Sequence, residues 1–97
     1  MNPIGVAIAG LGFGESVHLP ALKENPSVEP VALWHPRRER LKDACKVNQL
    51  HGYEDWSELL QDPKIEAVII ATPPGPRFNL AKDALEAGKH LLLENNL

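Results

Sequence analysis

The chain has little cysteine, no run of charge of one sign and no apolar stretch long enough to cross a bilayer, and each lack removes a class of protein. A single cysteine, Cys45, among 97 residues excludes an internal disulfide and fits a reducing compartment. Set among helix-type residues, Cys45 reads as a small apolar side chain rather than a reactive thiol. The formal charge is −3, with 13 acidic and 10 basic residues interspersed. No single-sign surface therefore draws in nucleic acid or anionic lipid over long range, and neither is expected as a partner. The N-terminus lacks the basic stretch of a signal peptide, and its apolar run is broken by Gly10 and Gly12 before it reaches membrane-spanning length. A cytoplasmic location is the expectation. A chain of this length has room for one domain and one core.

What is present begins with that same run. Ile4 to Ala9 is nearly all apolar and ends abruptly in Gly10-Leu11-Gly12-Phe13-Gly14, after which the residues suit a helix. A buried parallel strand hands an anion to a helix N-terminus in this way. Glycine is needed where the chain turns tightly and where its backbone must approach a pyrophosphate that a Cβ would obstruct. Backbone N–H groups and the helix dipole then hold the phosphate. The corner points to a dinucleotide as partner, with Gly10, Gly12, Phe13 and Gly14 beside it.

Further along, strands and helices alternate at short spacing. Residues 4–9 read as a first strand and 15–24 as a helix, with Pro20 as an early kink and Asn25-Pro26 as its stop. Residues 28–34 form a second strand, in which Pro30 is tolerated near the start. A mostly charged helix over 37–47 carries Leu41, Ala44 and Cys45 on one face, with Val47 at its margin. A connector with a short strand fills 48–53, and a small helix at 56–60 has Asp55 or Ser57 as its cap. The strand at 65–71 is apolar on both faces in its second half, as a central parallel strand should be. Thr72-Pro73-Pro74-Gly75-Pro76 ends it, a helix over 77–87 follows with Gly88 as its C-terminal cap, and 90–94 is the last strand. This order predicts an α/β fold: a doubly wound, Rossmann-like parallel sheet of about five strands, with its ligand site beyond the carboxyl ends of the strands.

Five segments in this order resemble the N-terminal domain of the glucose–fructose oxidoreductase, inositol dehydrogenase and MocA (Gfo/Idh/MocA) family of NAD(P)-dependent oxidoreductases. They are Gly10 to Leu22, Val31 to Pro36, Tyr53 to Leu60, Val68 to Pro74, and Ala84 to Glu94, so the likeness covers nearly the whole chain. Ala71-Thr72-Pro73 and Ala87-Gly88-Lys89-His90 are more diagnostic than the glycines. The resemblance implies that Ala71, Thr72 and Pro73 flank the cofactor and that Glu94 belongs to its site.

Four departures from the family pattern sharpen the expectation. Glu15 stands where a third small residue is usual, and Gly14 is expected to relieve the crowding. His35 occupies the strand-end position where NAD-preferring relatives present an acid to the ribose hydroxyls, and Arg37 and Arg38 follow it. A guanidinium there grips a 2′-phosphate, so NADP is favoured over NAD. Pro74 and Arg77 replace a usual asparagine and histidine, so the polar contacts of that loop do not transfer. Finally, the family's Glu-Lys-Pro reads Glu94-Asn95-Asn96, without its lysine. The family's second domain, which supplies the substrate pocket and the acid–base groups, is likewise expected to be absent from this chain.

The resemblance thus implies a cofactor domain of an oxidoreductase that moves a hydride between NADP(H) and a sugar, polyol or related hydroxy or keto compound. The chain alone is expected to bind nucleotide without turnover, and neither a catalytic residue nor a metal site is expected in it. A second reading is a non-catalytic module that senses nucleotide or associates with itself. Its support is Leu91-Leu92-Leu93, an apolar last strand whose open edge invites a homo-oligomer, most simply a dimer. A third is an S-adenosylmethionine-binding domain, disfavoured because acids expected before the glycines and after the second strand are missing. His18 is a lesser candidate near the phosphates, while His51 and His90 read as structural.

Overall fold

The computed structural model describes residues 2–12 and 14–93. Along these residues run β1 (Ile4–Ala9), a π-helical turn (Gly14–His18) continuing into α1 (Leu19–Glu24), β2 (Val28–Trp34), α2 (Arg38–Asn48) and β3 (His51–Tyr53). The order continues through α3 (Trp56–Leu60), β4 (Ala67–Ile70), α4 (Pro74–Glu86) and β5 (His90–Leu93). The strands make one sheet in the order β3-β2-β1-β4-β5, every neighbouring pair parallel. The predicted doubly wound α/β sheet is therefore the observed one.

Alternation along the strands divides the core into two layers. Val6 and Ile8 of β1, Leu33 of β2 and Ile69 of β4 pack against Leu19 of α1 and Leu41 and Ala44 of α2. On the opposite face, Ala7, Ala9, Ala32, Val68 and Ile70 meet Trp56, Leu59 and Leu60 of α3 and Leu80 and Ala84 of α4. β1 carries small alanines on the face that receives Trp56 and bulky residues on the other, so unequal helix layers fit a flat central strand. Each large side chain buried this way contributes about 1.5–3 kcal/mol.

Local signals explain the element ends. The Asp55 carboxylate accepts from the Ser57 N–H at 2.9 Å and caps α3. α4 finishes in a Gly88 at φ +80°, where the Gly88 N–H reaches the Leu85 carbonyl and the Lys89 N–H the Ala84 carbonyl. Lys89 also donates from Nζ to the Asp62 and Ile65 carbonyls, tying the start of β5 to the loop before β4.

Several boundaries differ from those read in the sequence. The helix expected over 77–87 starts at Pro74, because a residue without an N–H and with φ already fixed suits a first helical turn. The helix expected over 15–24 opens as a π-helical turn, and Pro20 stands in the first turn of α1 rather than kinking it. α2 begins at Arg38, with Arg37 still extended. Val47, expected at the margin of its covered face, is 77% exposed: the inward stripe runs through Leu41, Ala44, Cys45 and Asn48 and leaves Val47 aside. β4 is shorter than 65–71, since the Ile65 N–H is taken by a turn to the Asp62 carbonyl. Pro30 is accommodated where the β1–β2 register shifts and before the β3 ladder begins at Ala32.

Candidate functional site

The chain leaves β1 toward β2 on one side and, after β3, returns to place β4 on the other, so the sheet order reverses at β1. A crevice opens there, beyond the carboxyl ends of the strands. It is a cleft of about 510 Å³ with Gly10, Leu11 and Gly12 at its floor. Trp34, His35 and Pro36 form one wall, and Ala71, Thr72, Pro73 and Pro76 the other. Sequence-predicted residues from three separate segments thus meet in one place.

The glycines of this corner, Gly10 and Gly12 on the floor and Gly14 behind it, do different things. Gly10 has φ +98°, and a Cβ on it would stand 2.8 Å from the Ala71 carbonyl carbon and oxygen and 2.9 Å from the Thr72 nitrogen. Its N–H donates to the Trp34 carbonyl at 3.0 Å, so this turn joins the ends of β1, β2 and β4. Gly14 brings the π-helical turn onto β1, where an added Cβ would lie 2.8 Å from Ile8 Cγ2. Around Gly12 an added Cβ would meet nothing within 4 Å. The fold needs Gly10 and Gly14, whereas the openness at Gly12 serves whatever approaches from the cleft. Phe13 and Glu94, both expected at the site, lie outside the described residues.

The end of β2 is built from side chains instead. The Arg37 N–H donates to His35 Nδ1 at 3.0 Å, which engages that lone pair and orients the ring. Burial first, and the charges of Arg40 and Arg37 after it, hold the His35 imidazole below its usual pKa of 6.5. The ring is therefore neutral at pH 7. Arg38 lies 3.6 Å from Glu54 with both side chains largely exposed, a pairing that contributes little. Arg37 is exposed, and its guanidinium has no hydrogen-bond or ion-pair partner among the described residues.

Sequence reasoning missed Arg40 and Asn48. Arg40 Nη1 donates to Glu15 Oε1 at 3.0 Å and its Nη2 to the Leu11 carbonyl at 3.4 Å. Asn48 Nδ2 donates to the other Glu15 oxygen at 3.0 Å and to the Ala44 carbonyl at 2.8 Å. The signal was Glu15 itself, an acid at a position meant for a small residue. Its partners stand 25 and 33 positions away, beyond the reach of local pattern.

On the opposite wall, Thr72 is 3% exposed, and its Oγ1 has no hydrogen-bond partner among the described residues. Arg77 donates from Nη2 to the Thr72 carbonyl at 3.0 Å and so steadies this loop from α4. His18 is half-buried in the π-helical turn. Burial first, and the Glu15 charge second, push the Cys45 thiol up, consistent with a small packed side chain. Among the described residues no group of three or more His, Cys, Asp or Glu side chains is placed to hold a metal ion, and no helix is long and apolar enough to cross a membrane.

Comparison with known proteins agrees with this geometry. Residues 4–95 match the profile of GFO_IDH_MocA, the oxidoreductase family with an NAD-binding Rossmann fold. An uncharacterized oxidoreductase of Synechocystis sp. is 41% identical over 90 residues, which are 92% of this chain and 24% of that protein. The chain thus spans about a quarter of that relative's length. Among solved structures, a 3-ketoreductase of Actinomadura kijaniata, in complex with NADP and TDP-benzene, superposes with a TM-score of 0.89 at 31% identity, covering 99% of this chain and 30% of that one. Biliverdin reductase of Synechocystis sp., in complex with biliverdin and NADP+, gives a TM-score of 0.88 at 27% identity, covering 98% and 30%.

Proposed function

Since the chain belongs to the Gfo/Idh/MocA oxidoreductase family and is its NAD(P)-binding Rossmann domain, we propose that it prefers NADP and serves an enzyme that moves a hydride between NADP(H) and a sugar, polyol or related hydroxy or keto compound. The observation that carries the preference is the end of β2. A neutral His35 stands where a carboxylate would repel a 2′-phosphate, and beside it Arg37 has no acidic partner among the described residues. One charge-assisted bond from Arg37 to a phosphate is worth about 1.5–3 kcal/mol.

The residues present fit such a cofactor. Gly12 lets the backbone approach a pyrophosphate, with Gly10 and Gly14 shaping the turn and Leu11 beneath it, and Phe13 is kept as a cofactor contact on the sequence alone. The orphaned Thr72 hydroxyl, held between Ala71 and Pro73, is a buried polar group that a ligand in the cleft would satisfy. Arg38 adds positive charge after β2, and Glu94, outside the described residues, is kept at the cofactor site on the family resemblance alone. The bound nicotinamide supplies the hydride chemistry, and this domain holds and orients it. In this reading the substrate pocket and the proton-handling groups belong to a further domain, and the chain by itself binds without turnover.

Calorimetric titration of the chain with NADP and with NAD, repeated on Arg37→Ala, tests the proposal. Tighter NADP binding that falls about 10- to 100-fold in the variant, with NAD unchanged, supports it. Equal affinities in the native chain overturn the preference.

A second reading rests on β5, an edge strand on which Leu92 and Leu93 are 55% and 45% exposed. It has copies of the chain pairing along this edge into a homo-oligomer. Sedimentation velocity decides: a dimer that grows with concentration supports it, and a monomer throughout removes it.

A further inference from the structure

An acid in a phosphate-binding loop is an electrostatic fault. Glu15 is the third residue after the Gly10–Gly12 floor and the second of the π-helical turn that leads from it into α1. An uncompensated carboxylate there would repel the pyrophosphate that the loop is shaped to receive. The carboxylate is not uncompensated. Both of its oxygens are taken from α2, one by Arg40 and the other by Asn48, at 3.0 Å each. Its side chain is 23% exposed, so the pairing is only partly screened. The second Arg40 nitrogen meanwhile reaches the Leu11 carbonyl of the floor.

We propose that Arg40 is a positioning residue for the cofactor. It acts through Glu15, cancelling the loop's one acid and fastening the loop to α2. This rests on the NAD(P) reading of the cleft and divides the basic residues after β2 by role. Arg40, already engaged, supports the pyrophosphate loop and serves NAD and NADP alike. Arg37, unengaged, distinguishes them. The side chain of Asn48 holds the far oxygen of Glu15 and keeps the carboxylate turned from the cleft.

The pairing also accounts for the π-helical turn. Gly14 must sit against Ile8, and the wider turn lets the next residue project toward α2. A glutamate becomes tolerable where the usual pattern needs a small residue, provided that α2 offers a cation.

A double-mutant cycle that removes the two charges tests this. NAD and NADP are titrated calorimetrically into the native chain, Arg40→Ala, Glu15→Gln and the double variant Glu15→Gln with Arg40→Ala, with thermal unfolding of each recorded. Arg40→Ala should weaken both nucleotides by roughly tenfold at low salt, the size of one partly screened like-charge interaction, and less at high salt. The double variant should regain most of that loss, because the acid has gone with its partner. If the clasp were only structural, the double variant would bind no better than Arg40→Ala, and that result overturns the proposal. So does an Arg40→Ala protein that remains folded and binds both nucleotides as the native chain does. Failure of the cofactor reading itself is distinct, since the folded native chain would then bind neither nucleotide.

Discussion

The two corners of the cleft are built in opposite ways. At the glycine corner the determinant is missing atoms: Gly10 and Gly14 leave no room for a Cβ, and the backbone of β1 is buried on both faces. At the β2 corner the determinant is side chains: His35 is half-buried with its Nδ1 engaged by the Arg37 N–H, while Arg37 and Arg38 are exposed beside the cleft, the first without a guanidinium partner among the described residues and the second with a weak one. The first corner is therefore fixed by the fold and serves any dinucleotide. The second carries few contacts that the fold depends on, and in the proposed function it is where a choice between NAD and NADP would reside. Arg40 joins them, since it starts on the second corner's helix and ends on the first corner's acid.

The comparison breaks most easily at Gly10. Gly10→Ala combines a backbone conformation that L-residues resist with collisions against the Ala71–Thr72 backbone, so it should destabilise the chain by about 2–4 kcal/mol in urea unfolding. Gly12→Ala should do the reverse. With open space around it, stability should change by less than about 0.5 kcal/mol, while calorimetry shows both nucleotides weakened. A Gly12→Ala chain as unstable as Gly10→Ala would mean that all of the glycines serve the fold.

The legibility of the sequence follows the same division. β1, β2 and the glycine corner were readable because their determinants are local: an apolar run, an abrupt set of glycines, a strand-end residue. The π-helical turn was not, because it depends on Gly14 meeting Ile8 across the helix–strand contact. The start of α4 is harder to place because Pro74 and Pro76 look like breakers, although a first helical turn needs no N–H from its residues. Arg40 escaped notice because nothing near it in sequence marks it, and its meaning comes only from Glu15, folded against it from another element. Val47 was set too near the covered face because the apolar stripe on α2 gives way to Asn48, whose task is polar.

The smallest expected effect concerns pH. His35 has a folded pKa below its unfolded value, so between the two the unfolded chain binds more protons. Stability should therefore be full above about pH 6.5 and fall slightly as the pH drops through and below that value. Thermal unfolding from pH 7.5 to 5 would register the slope, and His35→Gln should reduce it. A slope unaltered in that variant would place its origin in other groups.

The division of labour between the corners is tested most directly by one matrix of affinities: NAD and NADP against the native chain, Gly12→Ala and Arg37→Ala. The expected result is that Gly12→Ala lowers both affinities by the same factor while Arg37→Ala lowers NADP alone. Equal losses of NAD and NADP on replacing Arg37 would contradict the account, because the β2 corner would then hold the dinucleotide without distinguishing its phosphate.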